Sequence, residues 1–124
     1  MVSPVDSTTS VLLGMALDAA QMRQQAIANN IANATTPGYR PMSVRFEEQL
    51  ASQRETLARG GNVSLASLSD FRPTLLTSSN PDETVALDDQ VAQLSGNVLH
   101  HQVLLRALNK HFALMGLAIN EGKR

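Results

Sequence analysis

Residues 87–119 read LDDQVAQLSGNVLHHQVLLRALNKHFALMGLAI, and their repeat decides the fold class. A series of apolar residues, with one histidine, recurs at alternating steps of four and three: Leu87, Val91, Leu94, Val98, His101, Leu105, Leu108, Phe112, Met115 and Ile119. This heptad spacing is typical of helices that pack in coiled-coil fashion. Thr84 suits an N-cap, and Asp88 and Asp89 suit the positive end of a helix dipole. We predict one helix over 84–121, about 57 Å long.

A second helical stretch lies at the other end of the chain. Residues 7–33 are rich in Ala, Gln, Met and Leu, which are good helix formers. One apolar stripe contains Leu12, Met15, Ala19, Met22 and Ala26, and a neighbouring one contains Leu13, Leu17, Ala20, Ile27 and Ile31. Two adjacent stripes indicate a wide apolar face that packs against more than one partner. The helix should end near Asn33, because Pro37 and Gly38 follow.

The middle of the chain has little periodicity and holds Pro37, Pro41, Pro73 and Pro81. Residues 44–52 fit a short helix or a strand, and residues 64–76 fit a short strand. The predicted fold class is therefore all-α, with two long terminal helices that form a coiled-coil-like hairpin or bundle. We divide the chain into an N-terminal helix (1–33), a loop-rich connection with possible short strands (34–83) and a C-terminal heptad helix (84–124).

Composition excludes several classes of function. The 124 residues carry ten basic and eleven acidic side chains, a net charge of −1, so no electrostatic drive toward nucleic acid is expected. The sequence contains no run of about 18 apolar residues, so no membrane-spanning helix is predicted. Residues 1–10 contain no Lys or Arg, unlike a cleavable signal peptide. The absence of cysteine excludes disulfides and thiolate chemistry.

Catalytic and metal-binding patterns are also missing. The histidines are His100, His101 and His111, and their spacings of one, ten and eleven do not place two ligands on one helical turn. Adjacent acidic pairs such as Asp88 and Asp89 point in different directions on a helix, unlike an acid–base dyad. We expect no enzymatic activity, no cofactor and no metal.

The most informative segment is residues 29–46, NNIANATTPGYRPMSVRF. Asn30 and Asn33 can bond the carbonyls that a helix end leaves free. Pro37 and Gly38 occupy the second and third positions of a predicted type II turn that runs from Thr36 to Tyr39. A helix end followed by a turn explains each of these residue types, but it does not explain why so many of them occur together in this one segment.

This segment resembles the N-terminal motif of the bacterial flagellar rod, hook and hook-associated proteins. The residues that carry the resemblance are Asn30, Ile31, Ala32, Asn33, Thr36, Pro37, Gly38, Tyr39 and Phe46. Members of that family also pair a heptad-rich C-terminal helix with the N-terminal one. The short chain resembles the proximal rod members, which carry only the helical core, and the run RFEEQL at 45–50 resembles the most membrane-proximal type.

The resemblance implies a structural subunit of the proximal rod of the flagellar basal body. Its expected partners are copies of itself, other rod subunits, the rod–ring adaptor and the export gate, in a periplasmic rod reached by flagellar export. The predicted subunit-interface seam comprises Leu12, Met15, Ala19, Met22, Ala26, Leu94, Val98, Leu105, Leu108, Phe112 and Met115. The alternative is a secreted helical-hairpin effector or an export chaperone.

Overall fold

A computed structural model of the protein describes residues 4–61 and 71–122. The elements are α1 (Pro4–Ala32), β1 (Met42–Arg45), α2 (Glu47–Ala58), β2 (Thr74–Thr77) and α3 (Leu87–Gly122). The prediction of a mostly helical fold with two long helices at the ends is confirmed. Helix α1 begins three residues before the predicted start, with Pro4 in the first turn, where its missing N–H is not needed.

Helices α1 and α3 form an antiparallel pair. Three polar contacts set their register: Asn30 near the end of α1 meets Gln90 near the start of α3, Asn97 meets the backbone of Ala20, and Ser10 meets Met115. The face of α3 turned toward α1, here called the inner face, consists of Gln90, Leu94, Asn97, His101, Leu104, Leu108, His111 and Met115.

The inner face keeps the predicted seven-residue repeat but shifts its phase. Leu94, His101, Leu108 and Met115 are half-buried members of the predicted series. The other four inner-face residues are Gln90, Asn97, Leu104 and His111. Each of them directly precedes a residue of the predicted apolar series. The expected residues Val91, Val98, Leu105, Phe112 and Ile119 remain between 40% and 52% exposed. We call these five residues the exposed stripe.

The other side of α1 is covered by the middle of the chain. Strands β1 and β2 form an antiparallel ribbon, with Met42 opposite Thr77 and Arg45 opposite Thr74. Phe46 follows β1 and is 3% exposed, packed with Met15 and Ala19 of α1. The Phe71 ring meets Phe46 edge to face, with centroids 6.0 Å apart. A small apolar core therefore lies between α1 and the ribbon.

The weak elements of the middle segment are only partly as predicted. Residues 44–52 contain both proposed structures in succession, because β1 ends at Arg45 and α2 begins at Glu47. The strand predicted within 64–76 is present as β2, although residues 64–70 lie outside the described residues. A salt bridge between Arg23 Nη2 and Glu47 Oε2, 2.8 Å apart, links the first turn of α2 to α1. Most of α2 is exposed.

Candidate functional site

The segment after α1 is shaped by local hydrogen bonds. Asn33 donates from Nδ2 to the carbonyl of Asn29 at 2.9 Å, but that carbonyl is not free, because it also accepts the backbone N–H of Asn33 at 3.0 Å. The turn predicted from Thr36 to Tyr39 is present: the Tyr39 N–H donates to the Thr36 carbonyl at 3.2 Å. Gly38 has a φ of 78°, the left-handed value that a type II turn requires at this position.

The sequence position of Asn30 suggested a helix cap, but the side chain of Asn30 instead joins α1 to β1 and to α3. Its Nδ2 donates to the Met42 carbonyl at 2.8 Å and to Gln90 Oε1 at 2.9 Å. Its Oδ1 accepts from the Tyr39 hydroxyl at 2.7 Å and from the Met42 N–H at 2.8 Å. Asn30 is 1% exposed, and both hydrogens and both lone pairs of the amide are used. We call this cluster the Asn30 junction.

The predicted seam residues of α1 are mostly covered by the chain itself. Met15, Ala19 and Ala26 are buried, and Leu12 and Met22 are half-buried. Met15 and Ala19 contact the Phe46 core. The second predicted stripe contains Ala20 and Ile27, which are also buried. The wide apolar face inferred from the sequence thus has partners within the chain on both sides.

The predicted seam residues of α3 fall into two groups. Leu94, Leu108 and Met115 belong to the inner face and are half-buried against α1. Val98, Leu105 and Phe112 belong to the exposed stripe. The structure therefore brings the first group together with α1 and leaves the second group at the surface.

Two polar residues of the inner face, Gln90 and Asn97, were not among the predicted seam residues. Gln90 is 8% exposed and joins the Asn30 junction. Asn97 is 6% exposed and donates from Nδ2 to the Ala20 carbonyl at 2.8 Å and to Gln24 Oε1 at 3.1 Å. Gln90 and Asn97 are seven residues apart in a helix with a seven-residue repeat. This spacing was the signal that could have predicted that both lie on the same face.

The described residues hold no group of three or more His, Asp or Glu side chains placed to bind a metal ion. Among the same residues, no helix is long and apolar enough to cross a membrane. The features that the described residues do form are a saturated polar junction, an inner face and an exposed stripe.

Two comparisons with known proteins find similarity to flagellar rod proteins. The family model described as "Flagella basal body rod protein" matches residues 13–40, which span most of α1 and the turn at Thr36–Tyr39. The flagellar basal body rod protein FlgB of Bacillus subtilis is 27% identical over 116 residues, covering 87% of this chain and 90% of that protein. The chain is thus similar to flagellar basal body rod proteins, over a short segment to the family model and over most of its length to this relative. Among rod proteins, the similarity found over most of the chain is to the FlgB type.

The segment that matches the rod family contains the centre of the Asn30 junction. Asn30 and Tyr39 lie inside the matched residues, whereas Met42 and Gln90 lie outside them. Two of the four groups that meet at this junction are thus part of the family segment. The junction connects that segment to the strand ribbon and to α3.

We predict that Asn30→Ala destabilises the fold by at least about 3 kcal/mol, because it removes four hydrogen bonds and leaves buried partners unsatisfied. Urea unfolding followed by circular dichroism measures this change. Asn29→Ala is the matched control: this neighbouring amide is exposed, and its loss should change stability by less than about 0.5 kcal/mol. Equal effects of the two substitutions would contradict the role of Asn30.

Tyr39 gives the junction a predictable dependence on pH. Burial raises the pKa of the Tyr39 hydroxyl above its ordinary value of 10.0. The neutral phenol donates to Asn30, so this contribution to stability is present below the unfolded-state pKa and is lost as pH rises through the higher folded-state pKa.

Tyr39 is the only tyrosine of a chain that lacks tryptophan, so tyrosinate absorbance reports this residue alone. We expect the folded chain to titrate above pH 10 and the urea-unfolded chain to titrate near the ordinary value. Identical titration curves in the two states would show that the Tyr39 hydroxyl does not depend on the junction.

Proposed function

We propose that the chain is a structural subunit of the proximal rod of the flagellar basal body. In this function the subunit joins its neighbours through helix packing and has no catalytic turnover. The similarity to the rod family supports the rod assignment. The single structural observation that supports assembly is the exposed stripe on α3.

The exposed stripe has the form of a helix-binding surface. Its five residues are spaced seven apart from Val91 to Ile119, a distance of about 42 Å along α3. A row of apolar side chains with this period matches another helix, because the repeat keeps the contact on one side over several turns. The isolated chain leaves the row accessible to water, so packing by a neighbour would bury it favourably.

Such contacts suit a helical tube. When the contact joins two different surfaces of identical subunits, each subunit retains one unsatisfied surface, and the array grows as an open helix unless rotation closes a ring. In the proposed rod, this array connects the membrane ring and export gate to the distal rod and transmits torque. The neighbours would include copies of this chain, other rod subunits and the rod–ring adaptor, and the subunit would reach the periplasm through the flagellar export apparatus.

Electron microscopy of basal bodies from a strain that lacks this chain tests the proposal. We expect membrane rings without a rod, and recovery of the rod when the chain is supplied from a plasmid. Complete rods in the deletion strain would contradict an essential rod role. They would favour the alternative of a secreted helical-hairpin effector or an export chaperone.

Leu105→Asp tests the exposed stripe directly. Leu105 is 44% exposed, so the fold should tolerate the charge, whereas burial of an unpaired carboxylate in a subunit contact is unfavourable. We expect roughly tenfold or greater loss of the chain from purified basal bodies, with export unchanged.

The matched control for the stripe is Val103→Asp. Val103 is 64% exposed and lies outside the stripe on the same helix, so its substitution should leave rod incorporation near the wild-type level. Immunoblots of basal bodies and of the culture medium separate incorporation from export. Normal incorporation of the Leu105 variant would show that the stripe is not a subunit contact.

A further inference from the structure

The strand ribbon has one outer edge that the chain itself occupies. In an antiparallel pair, residues that exchange hydrogen bonds alternate with residues whose backbone groups point away from the other strand. The Ser78 N–H donates to the Pro41 carbonyl at 2.9 Å, so the N–H and C=O of Met42 point away from β2. Both of these groups bond to the Asn30 side chain. The outer edge of β1 is therefore occupied at Met42.

The other outer edge of the ribbon, here called the β2 edge, is open. By the same alternation, Leu75 and Thr77 point their N–H and C=O groups away from β1. These groups have no hydrogen-bond partner among the described residues. Every residue of β2 is exposed, and Leu75 and Leu76 are 46% and 42% accessible. An exposed strand with free backbone groups can accept another strand along its edge.

The charges around the β2 edge favour a second copy of this chain as the source of that strand. Residues 74–80 read TLLTSSN and carry no charge, so two copies can meet there without like-charge repulsion. Exposed Arg72 precedes this stretch, and exposed Asp82 follows it. Antiparallel pairing brings Arg72 of each copy toward Asp82 of the other, whereas parallel pairing would place like charges side by side.

Pro73 limits the register of such a pair. Because it has no N–H, a register that places it opposite Thr77 of the second copy loses a hydrogen bond. The register that pairs Leu75 with Thr77 of the second copy uses the free N–H and C=O groups of both residues in both copies. It also sets Leu76 opposite Leu76, in the closely spaced type of pair whose side chains contact each other. A shift in the other direction sets Leu76 opposite Ser78 and loses this leucine contact.

We propose that two copies of this chain pair through their β2 edges, antiparallel and with Leu76 opposite Leu76, so that their two-stranded ribbons form one continuous sheet across a two-fold axis. The contact is separate from the exposed stripe and goes beyond the proposed function. A two-fold axis relates copies that point in opposite directions, whereas neighbours along a helical tube point the same way. The pair therefore belongs to the chain before incorporation, when it covers a strand edge that is otherwise open to unspecific pairing.

The pair should be weak. A strand of four residues is much shorter than the roughly 20–30 residues that each side of a standard stable interface contributes. We expect a dissociation constant on the order of 0.1–1 mM. A pair of this strength dissociates readily, which leaves the chain free to enter a larger assembly.

Single cysteines test the register, because the natural chain has no cysteine. In the proposed pair, the two Leu76 Cα atoms lie about 4.5 Å apart, within reach of a disulfide. The two Thr74 Cα atoms lie more than about 10 Å apart, although Thr74 is also exposed and points to the same face of β2. Purified full-length Leu76→Cys and Thr74→Cys chains are oxidised with glutathione disulfide at equal concentration and separated on non-reducing gels. We expect dimers to form at least roughly tenfold faster from Leu76→Cys.

The matched Thr74 variant makes this result decisive, because random collision would link both variants alike. Equal rates from the two variants, or no dimer from either, would overturn the inference. Faster dimer formation by Thr74→Cys would overturn it too, since it would show a different register. The measurement uses the unassembled chain, so its failure leaves the proposed rod function intact, and microscopy of the deletion strain tests that function separately.

Thr77→Pro provides a second test. The Thr77 N–H points away from β1, so its loss spares the hydrogen bonds between β1 and β2 and removes a donor from the β2 edge. Sedimentation equilibrium is measured on chains that also carry Leu105→Asp, because that charge disrupts the exposed stripe. We expect a monomer–dimer equilibrium whose dissociation constant rises at least roughly tenfold with Thr77→Pro.

The sedimentation results also allow a clear refutation. A Leu105→Asp chain that stays monomeric up to about 1 mM would overturn the inference. Open-ended oligomers of that chain would overturn it as well, because a two-fold contact closes on itself. Circular dichroism shows whether the Thr77→Pro variant keeps its helices. An unchanged equilibrium for a folded variant would overturn the inference, and for an unfolded variant the cysteine comparison decides.

Discussion

The buried amide of Asn30 constrains the rest of the structure. Its four hydrogen bonds join the end of α1 to Tyr39, to both backbone groups of Met42 and to Gln90 at the start of α3. A buried amide tolerates little displacement, because each lost bond leaves a desolvated polar group. The direction of the chain after α1 and the start of the α1–α3 contact are therefore fixed at one place.

The hydrogen bond between Asn30 and Gln90 also determines which side of α3 faces α1. With Gln90 held against Asn30, the seven-residue repeat places Asn97, Leu104 and His111 on the inner face of α3. The residues that follow them, including Val98, Leu105 and Phe112, are turned to one side and stay exposed. One heptad pattern thus serves two purposes: one set of positions closes the subunit, and an adjacent set is available to a neighbour.

This division fits an assembling protein better than a self-contained one. Among the described residues the buried apolar side chains are few and mostly small, namely Met15, Ala19, Ala20, Ala26, Ile27 and Phe46, while α3 exposes a long apolar row. The isolated chain leaves this row accessible to water, and contiguous exposed apolar surface is typical of interaction sites. The similarity to flagellar basal body rod proteins supports the proposal that this surface is a contact between subunits.

The two long helices, the turn at Thr36–Tyr39 and the segment similar to rod proteins were predictable from the sequence, because they depend on local periodicity and on local turn chemistry. Tertiary structure decided which heptad positions face α1. A repeat of seven specifies spacing but not phase when apolar residues occupy neighbouring positions, and here the buried amides of Gln90 and Asn97 select the phase. Asn30 shows the same limit: its local position suggested a helix cap, but its partners are up to 60 residues away.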